Sequence, residues 1–291
     1  MRLIATRENE VLGQLQTLHG IAVPEEHWPL RQWRLRYPRQ LPGLAAALAA
    51  ASSNYFHWLF DSLPRLHLLR LAGVELSEIK SFLINGTAQA FDVDSLKILG
   101  IPPERLVRCS KRQVTVAEQL VVPPMPTPRS GEISDWICDF LRTSFLSHTP
   151  SRASNTKLYL SRRNSPKRRL ANEAEIERFF CERGFQSVRL EEFSFREQVQ
   201  LFARATFVAG PHGAGFANLV FAPRGARVIE LFHPRHQQPV YQHLAAQLGM
   251  DYQRIVGAAP HEQAPEMSEK LGPYSVELAQ LHKLVQPQVC Q

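Results

Sequence analysis

Apolar residues recur at helical spacing from Ser53 to Leu71 (Phe56, Leu59, Phe60, Leu63, Leu66, Leu69), which predicts a helix there despite Pro64. Short apolar and β-branched runs then predict a strand over Ser81–Ile84 and strands near Leu106 and Leu120, with a helix over Asp94–Leu99. A proline-dense run, Val122 to Pro128, precedes a helix predicted over Glu132–Ser147. The polar stretch His148–Thr156 follows and marks a domain boundary. Beyond it the pattern predicts strand Lys157–Leu160, helix Glu173–Arg183, strand Ser187–Leu190 and helix Arg196–Arg204. Strand Thr206–Ala209, a short helix ending near Phe221, strand Ala226–Leu231, helix Pro239–Leu248, strand Tyr252–Val256 and helix Ser275–Leu284 complete it. Alternation of this kind implies α/β architecture, with a parallel sheet covered on both faces. The second half reads as Rossmann-like and the first as a rougher version of the same. The expected division is 1–150, 151–265, and a C-terminal helical segment, 266–291, packing back on the first domain.

With 291 residues, 44% hydrophobic and 21% charged, the chain is globular and long enough for one large or two modest domains. Cys109, Cys138, Cys181 and Cys290 form no C-x-x-C and no close pair, which argues for a reducing compartment and against a disulfide framework or structural zinc. The longest smooth apolar stretch, Leu41 to Ala51, is broken by Pro42 and Gly43 and is too short to span a bilayer. The first residues hold no apolar signal core, so a cytoplasmic location is expected, and Asn85-Gly-Thr87 reads as a turn rather than a used sequon. A net charge of +7 favours an acidic ligand or surface. Basic residues gather at Arg31–Arg39 and at Arg162, Arg163, Lys167, Arg168 and Arg169. Neither aromatic interleaving nor a helix-turn-helix pattern accompanies them, which argues against nucleic acid. A nucleotide phosphate, or an anionic inner-membrane face carrying a lipid-linked substrate, fits as well.

The most informative segment is 205–232, in which a strand leads into Gly210-Pro-His212-Gly213-Ala214-Gly215, a short helix with Asn218, and a second strand carrying Glu230. A strand, glycine turn and helix N-terminus present backbone N–H groups to an anion, and glycines let a phosphate approach closely. His212 would add a donor, and Glu230 could accept from a ribose. An ordinary turn with glycines kept for packing is the competing reading. The spacing Gly213-x-Gly215-x-x-Asn218 lacks the third glycine of a dinucleotide fingerprint and sits late in the chain, which disfavours a nicotinamide enzyme.

Asn54, His57 and Asp61 share one face of the Ser53–Leu71 helix, and a partly buried His–Asp pair suits proton transfer from a hydroxyl. Asp61 is the favoured base, with His57 positioning; the reverse stays open. Arg162 leaves the first strand of the second half, where open α/β sheets bind ligands, and could grip a diphosphate. Asp92-Val-Asp94 spells the D-x-D of metal-dependent sugar enzymes but reads as helix-capping residues. His233-Pro-Arg-His236 reads as loop histidines.

Together, Asn54 to Arg65, Leu158-Tyr-Leu-Ser-Arg-Arg163 with Arg169 and Asn172-Glu173, Gln200-Leu-Phe202, and Gly210 to Leu231 resemble the family 61 glycosyltransferases, over residues 54 to 232. The resemblance implies a GT-B fold, two Rossmann-like domains facing across a cleft. It implies inverting, metal-independent transfer from a nucleotide-diphosphate sugar, UDP-sugars being typical, to a glycan or lipid-linked acceptor. Arg162, Gly210, His212, Gly213, Ala214, Gly215 and Asn218 would hold the donor, with Glu230 near the nucleoside. Asp61, His57, Asn54 and Arg65 would line the acceptor side, in a region expected to be shortened because the chain starts close to His57. No cofactor is implied. A nicotinamide-dependent oxidoreductase and a non-catalytic nucleotide-sugar-binding protein of polysaccharide assembly are the alternatives.

Overall fold

Residues 39–50, 52–86, 89–109, 114–127, 132–147, 155–165, 167–259 and 271–285 are described by a computed structural model. Most of the Arg31–Arg39 cluster, Thr87 of the sequon, most of the boundary stretch 148–156, and Cys290 lie outside the described residues. The chain divides into two compact units, Met1–Ser147 and His148–Gln291, each α/β with its own parallel sheet. Two such units are the components from which a GT-B fold is built.

The first sheet runs β3 (Leu106–Cys109), β2 (Ser81–Asn85), β1 (Arg39–Ala47), β4 (Thr115–Val121), every pair parallel. β2 is buried along its whole length, as a strand covered on both faces should be. β1 is the broken alanine-rich run, and the pattern predicted no strand there. Pro42 and Gly43 sit at a register shift against β4, between Leu41 and Leu44, and Gly43 takes φ 68° with its N–H donating to Glu118 Oε2 at 2.8 Å. A bulge tolerates a proline that a paired strand would reject, and pairing with β2 begins only at Ala45. Asp92 does not cap its helix. That helix runs Ala90–Ile98 with Gln89 at the N-cap, so Asp92 lies in the first turn, buried, accepting from Arg108 Nη1 at 2.9 Å.

The second sheet runs β6 (Phe185–Val188), β5 (Thr156–Leu160), β7 (Ala205–Pro211), β8 (Arg227–Phe232), β9 (Asp251–Val256), again all parallel. Helix Phe195–Phe202 begins at a capping box, Ser194 with Glu197, which fixes where the helix starts. The segment after the glycine turn, Ala214–Phe221, is a 3-10 helix rather than an α-helix. The last helix, Leu278–Leu284, was expected against the first domain. Instead Leu281 is fully buried in the second unit's core with Tyr159, Phe179 and Phe180, because an apolar stripe there faces the sheet.

Candidate functional site

In the second sheet the chain lays β6 to one side of β5 and then β7 to the other. Ligands of open α/β sheets bind beyond the carboxyl ends of the strands at such a reversal. β5 delivers Ser161 and Arg162 to that point, and β7 delivers His212. Glu173, buried at the start of helix Glu173–Cys181, fixes the end of β5 by accepting from Arg162 N at 2.6 Å and Ser161 Oγ at 2.9 Å. Burial pushes the Glu173 carboxyl above its usual value against these two hydrogen bonds, which lower it. The Arg162 guanidinium reaches across, Nη1 donating to His212 O at 2.7 Å and Nη2 to Ser165 Oγ at 2.8 Å.

Each of the three glycines marks a close approach, and Gly213 serves this crossing. A Cβ on Gly213 would lie 1.7 Å from Arg162 Nη1 and 2.8 Å from its Cζ, although Gly213 itself is extended at φ 178°. One on Gly210 would lie 2.6 Å from Leu160 O, and one on Gly215 would lie 2.7 Å from Leu190 Cδ1. Gly213 therefore makes room for an arginine rather than directly for a phosphate. Ala214 opens the 3-10 helix beside it.

Two sequence expectations need correction. Glu230 is wholly buried and both oxygens are engaged, Oε1 with His212 Nδ1 at 2.5 Å and Oε2 with the Tyr252 hydroxyl at 2.5 Å. It orients His212 and is not presented to a ribose. Asn218 is also wholly buried; its amide donates to Gln198 Oε1 and Gly215 O, bracing the 3-10 turn from behind instead of lining a donor surface.

The first sheet repeats the reversal between β1 and β4, and the His57 segment is attached to those two strand ends. Asn54 caps Tyr55–His57 by accepting from His57 N at 3.1 Å, a local structural task. The helix then widens into a π turn, Trp58–Ser62, before Arg65–Leu71 resumes α geometry. Such π turns frequently mark functional sites. Asp61 sits in the wide turn, its Oδ2 2.5 Å from His57 Nδ1 and its Oδ1 accepting from the Thr127 hydroxyl beyond β4. Arg65 is buried and donates to Ala47 O and Ala49 O at 3.1 and 3.2 Å and to Met125 Sδ, clamping both strand ends; it does not face an acceptor. Burial lowers its pKa to about 10 against the pull of Asp61. The side chain of Asp61 is 1% exposed and that of His57 14%. A carboxylate buried to this degree cannot meet an acceptor hydroxyl. Asp61 is therefore the buried support of the pair and His57 its more exposed member, the reverse of the expected order.

Sequence reasoning gave no role to Thr127, Glu173, Tyr252 or His236. Thr127 lay inside the proline run, and Glu173 stood in a matching block without a task. A search for buried partners of each histidine is the signal that finds the others.

A family model described as Glycosyltransferase 61 matches residues 55–229. The chain belongs to glycosyltransferase family 61. Protein O-linked-mannose beta-1,4-N-acetylglucosaminyltransferase 2 of Bos taurus is 41% identical over 73 residues, 24% of this chain and 12% of that protein. Its Xenopus laevis counterpart is 36% identical over 99 residues, 31% of this chain and 17% of that protein. The alignments thus span less than a fifth of those relatives' length. Among solved structures, E. coli heptosyltransferase WaaC with ADP aligns at TM-score 0.42 and 11% identity, over 79% of this chain and 96% of that one. Among the described residues, no helix is long and apolar enough to cross a membrane, and no group of three or more His, Cys, Asp or Glu side chains could hold a metal ion.

Proposed function

We propose that this family 61 member transfers a sugar from a nucleotide-diphosphate sugar to an acceptor hydroxyl, with inversion and without a metal. One observation carries the reading: Arg162 and His212 converge on a single backbone turn at the strand reversal of the second unit. Without a metal, charge developing on the leaving diphosphate must be met by oriented cations and N–H groups. A helix N-terminus supplies about 0.3–1 kcal/mol per charge at a surface, so the guanidinium must supply the larger share.

In this reading His57, the more exposed member of the pair, takes the proton of the acceptor hydroxyl while the acceptor oxygen bonds to the anomeric carbon and the diphosphate departs from the opposite face. Asp61 holds the ring tautomer and balances the imidazolium charge. General-base catalysis of this kind contributes about 10²–10⁴-fold. UDP-N-acetylglucosamine is the first donor to test, since the aligned relatives are named for N-acetylglucosaminyl transfer. A glycan or lipid-linked hydroxyl is the acceptor class.

The test is a thermal-shift panel of UDP, GDP, CDP and NAD with sugar conjugates, followed by transfer assays in excess EDTA. A ligand at a hundredfold excess over Kd stabilises by about 2.7 kcal/mol. The expected result is stabilisation by a nucleotide sugar and transfer that survives chelation. Stabilisation by NAD alone would overturn the reading, and activity lost with EDTA and restored by manganese would overturn metal independence.

A further inference from the structure

Past β8 the chain makes a tight turn, His233-Pro-Arg-His236, closed by His236 N donating to His233 O at 2.9 Å and Arg235 N donating to His233 Nδ1 at 3.1 Å. The turn sets the His236 ring against the ring of His212, centroids 5.1 Å apart and planes at 66°. His212 is held on its other sides by Phe232, stacked at 5.0 Å, and Tyr241 at 5.6 Å. Among the described residues the His236 ring nitrogens have no hydrogen-bond partner, and the ring is half-buried. Arg168, close enough to act on His236, has φ 50°, the one positive φ outside glycine among the described residues. Arg168 also lines an open hollow of about 350 Å³ with Arg169, Leu271 and Pro273.

We propose that His236 is a further donor-binding residue that enters the reaction as neutral imidazole and takes up one proton when the sugar-nucleotide diphosphate arrives. The inference rests on the donor site proposed above. Among the described residues, the leading influences on His236 all work against the cationic form. Burial is the largest, followed by Arg168 from the loop after β5, His212 after β7, His233 on its own turn, and Arg162; together they lower its pKa to about 4. Glu230 lies behind His212 and is already shared between His212 and Tyr252. An incoming diphosphate reverses this balance by neutralising the arginines and placing negative charge before the ring. A unit charge about 4 Å away at an effective dielectric near 20 raises such a pKa by about three, to near neutrality. Between the free and bound values, binding consumes a proton from solvent, so affinity rises as pH falls through that window.

The experiment is isothermal titration of the intact chain with UDP-N-acetylglucosamine and the corresponding GDP-, CDP- and ADP-sugars. Their diphosphates are diesters that do not titrate near neutrality, so any proton taken up belongs to the protein. Titrations at pH 6 in buffers of different ionisation enthalpy count the protons. The expected result is uptake of close to one proton and affinity at least about tenfold tighter at pH 5.5 than at pH 8. His236→Asn should abolish both while remaining folded, and His236→Lys should keep affinity but lose its pH dependence. Binding without uptake, or uptake that persists in His236→Asn and disappears in His233→Asn, would overturn the assignment while leaving the donor site standing. If no nucleotide sugar binds the wild-type chain, the donor site and this inference fall together.

Discussion

Substituting Gly213 by alanine is the most discriminating perturbation of the donor turn, because two different mechanisms predict its failure. The new Cβ would sit 1.7 Å from Arg162 Nη1 and 2.8 Å from Cζ. Carbon contacts settle near 3.5–4.0 Å, so the guanidinium must retreat by about 1.5–2 Å. That carries the 2.7 Å bond from Nη1 to His212 O past the limit for a hydrogen bond. The extended backbone at φ 178° accommodates alanine without strain, so the loss is confined to Arg162. A hydrogen bond to a charged group contributes about 1.5–3 kcal/mol, and each 1.4 kcal/mol is tenfold, so UDP should bind about 10- to 150-fold more weakly.

Titration calorimetry on Gly213→Ala, Arg162→Ala and the double variant separates the mechanisms. If the alanine acts by displacing Arg162, it costs nothing further once Arg162 is gone. A full additional loss in the Arg162→Ala background would mean that the methyl obstructs the phosphate itself. Unchanged UDP affinity in Gly213→Ala would refute both mechanisms and the turn as a donor site.

His57→Ala should reduce transfer about 10²–10⁴-fold with UDP affinity intact, whereas Asp61→Asn, which keeps an acceptor oxygen for Nδ1–H, should leave a measurable rate; an active His57→Ala enzyme would place the base elsewhere. Thr127→Val removes the hydroxyl that holds Asp61 Oδ1 and should lower kcat while sparing KM for the donor; equal changes in both would assign Thr127 to packing alone. The Glu173 carboxyl is raised in the folded state above its unfolded value near 4.3, so its protonated form stabilises the fold below about pH 4.3 and that contribution is lost as pH climbs through the folded value. Glu173→Gln should therefore flatten the stability profile over that rise in urea titrations, and an unchanged slope would reject burial as the cause.

The parts of the fold legible in the sequence were those with one dominant signal. β2, β5, β7 and β8 are apolar runs bounded by turn residues, and helix Phe195–Phe202 starts one residue before the predicted Arg196. β1 was hidden because Pro42 and Gly43 are strong breakers, and only a neighbouring strand reveals that they form a bulge. The 3-10 character of Ala214–Phe221 was hidden because AGFANLVF is apolar throughout and gives no period to measure. For the site, spacing correctly joined His57 to Asp61, since four residues on one helix face must meet. It misjudged which of them faces outward, because exposure depends on Thr127, which is 66 residues away from Asp61 in sequence.

His212 and His57 illustrate why the second kind of information escapes a linear reading. Each is held at Nδ1, at 2.5 Å, by a carboxylate that is almost wholly buried, and each carboxylate has its remaining oxygen occupied by a hydroxyl, from Tyr252 in one case and Thr127 in the other. One pair is assembled within a helix and the other between neighbouring strands, so no common spacing connects them. The common element is chemical: a carboxylate withdrawn from solvent fixes the orientation of a more exposed ring. Arg65, donating to backbone beyond β1 and to Met125 beyond β4, extends the same economy to the scaffold by tying the π turn to both strand ends. The carboxylates and Arg65, which drew attention in the sequence as base, donor contact and acceptor-side lining, are therefore the supports, and the less buried histidines beside them are the groups that the proposed mechanism sets against the ligand.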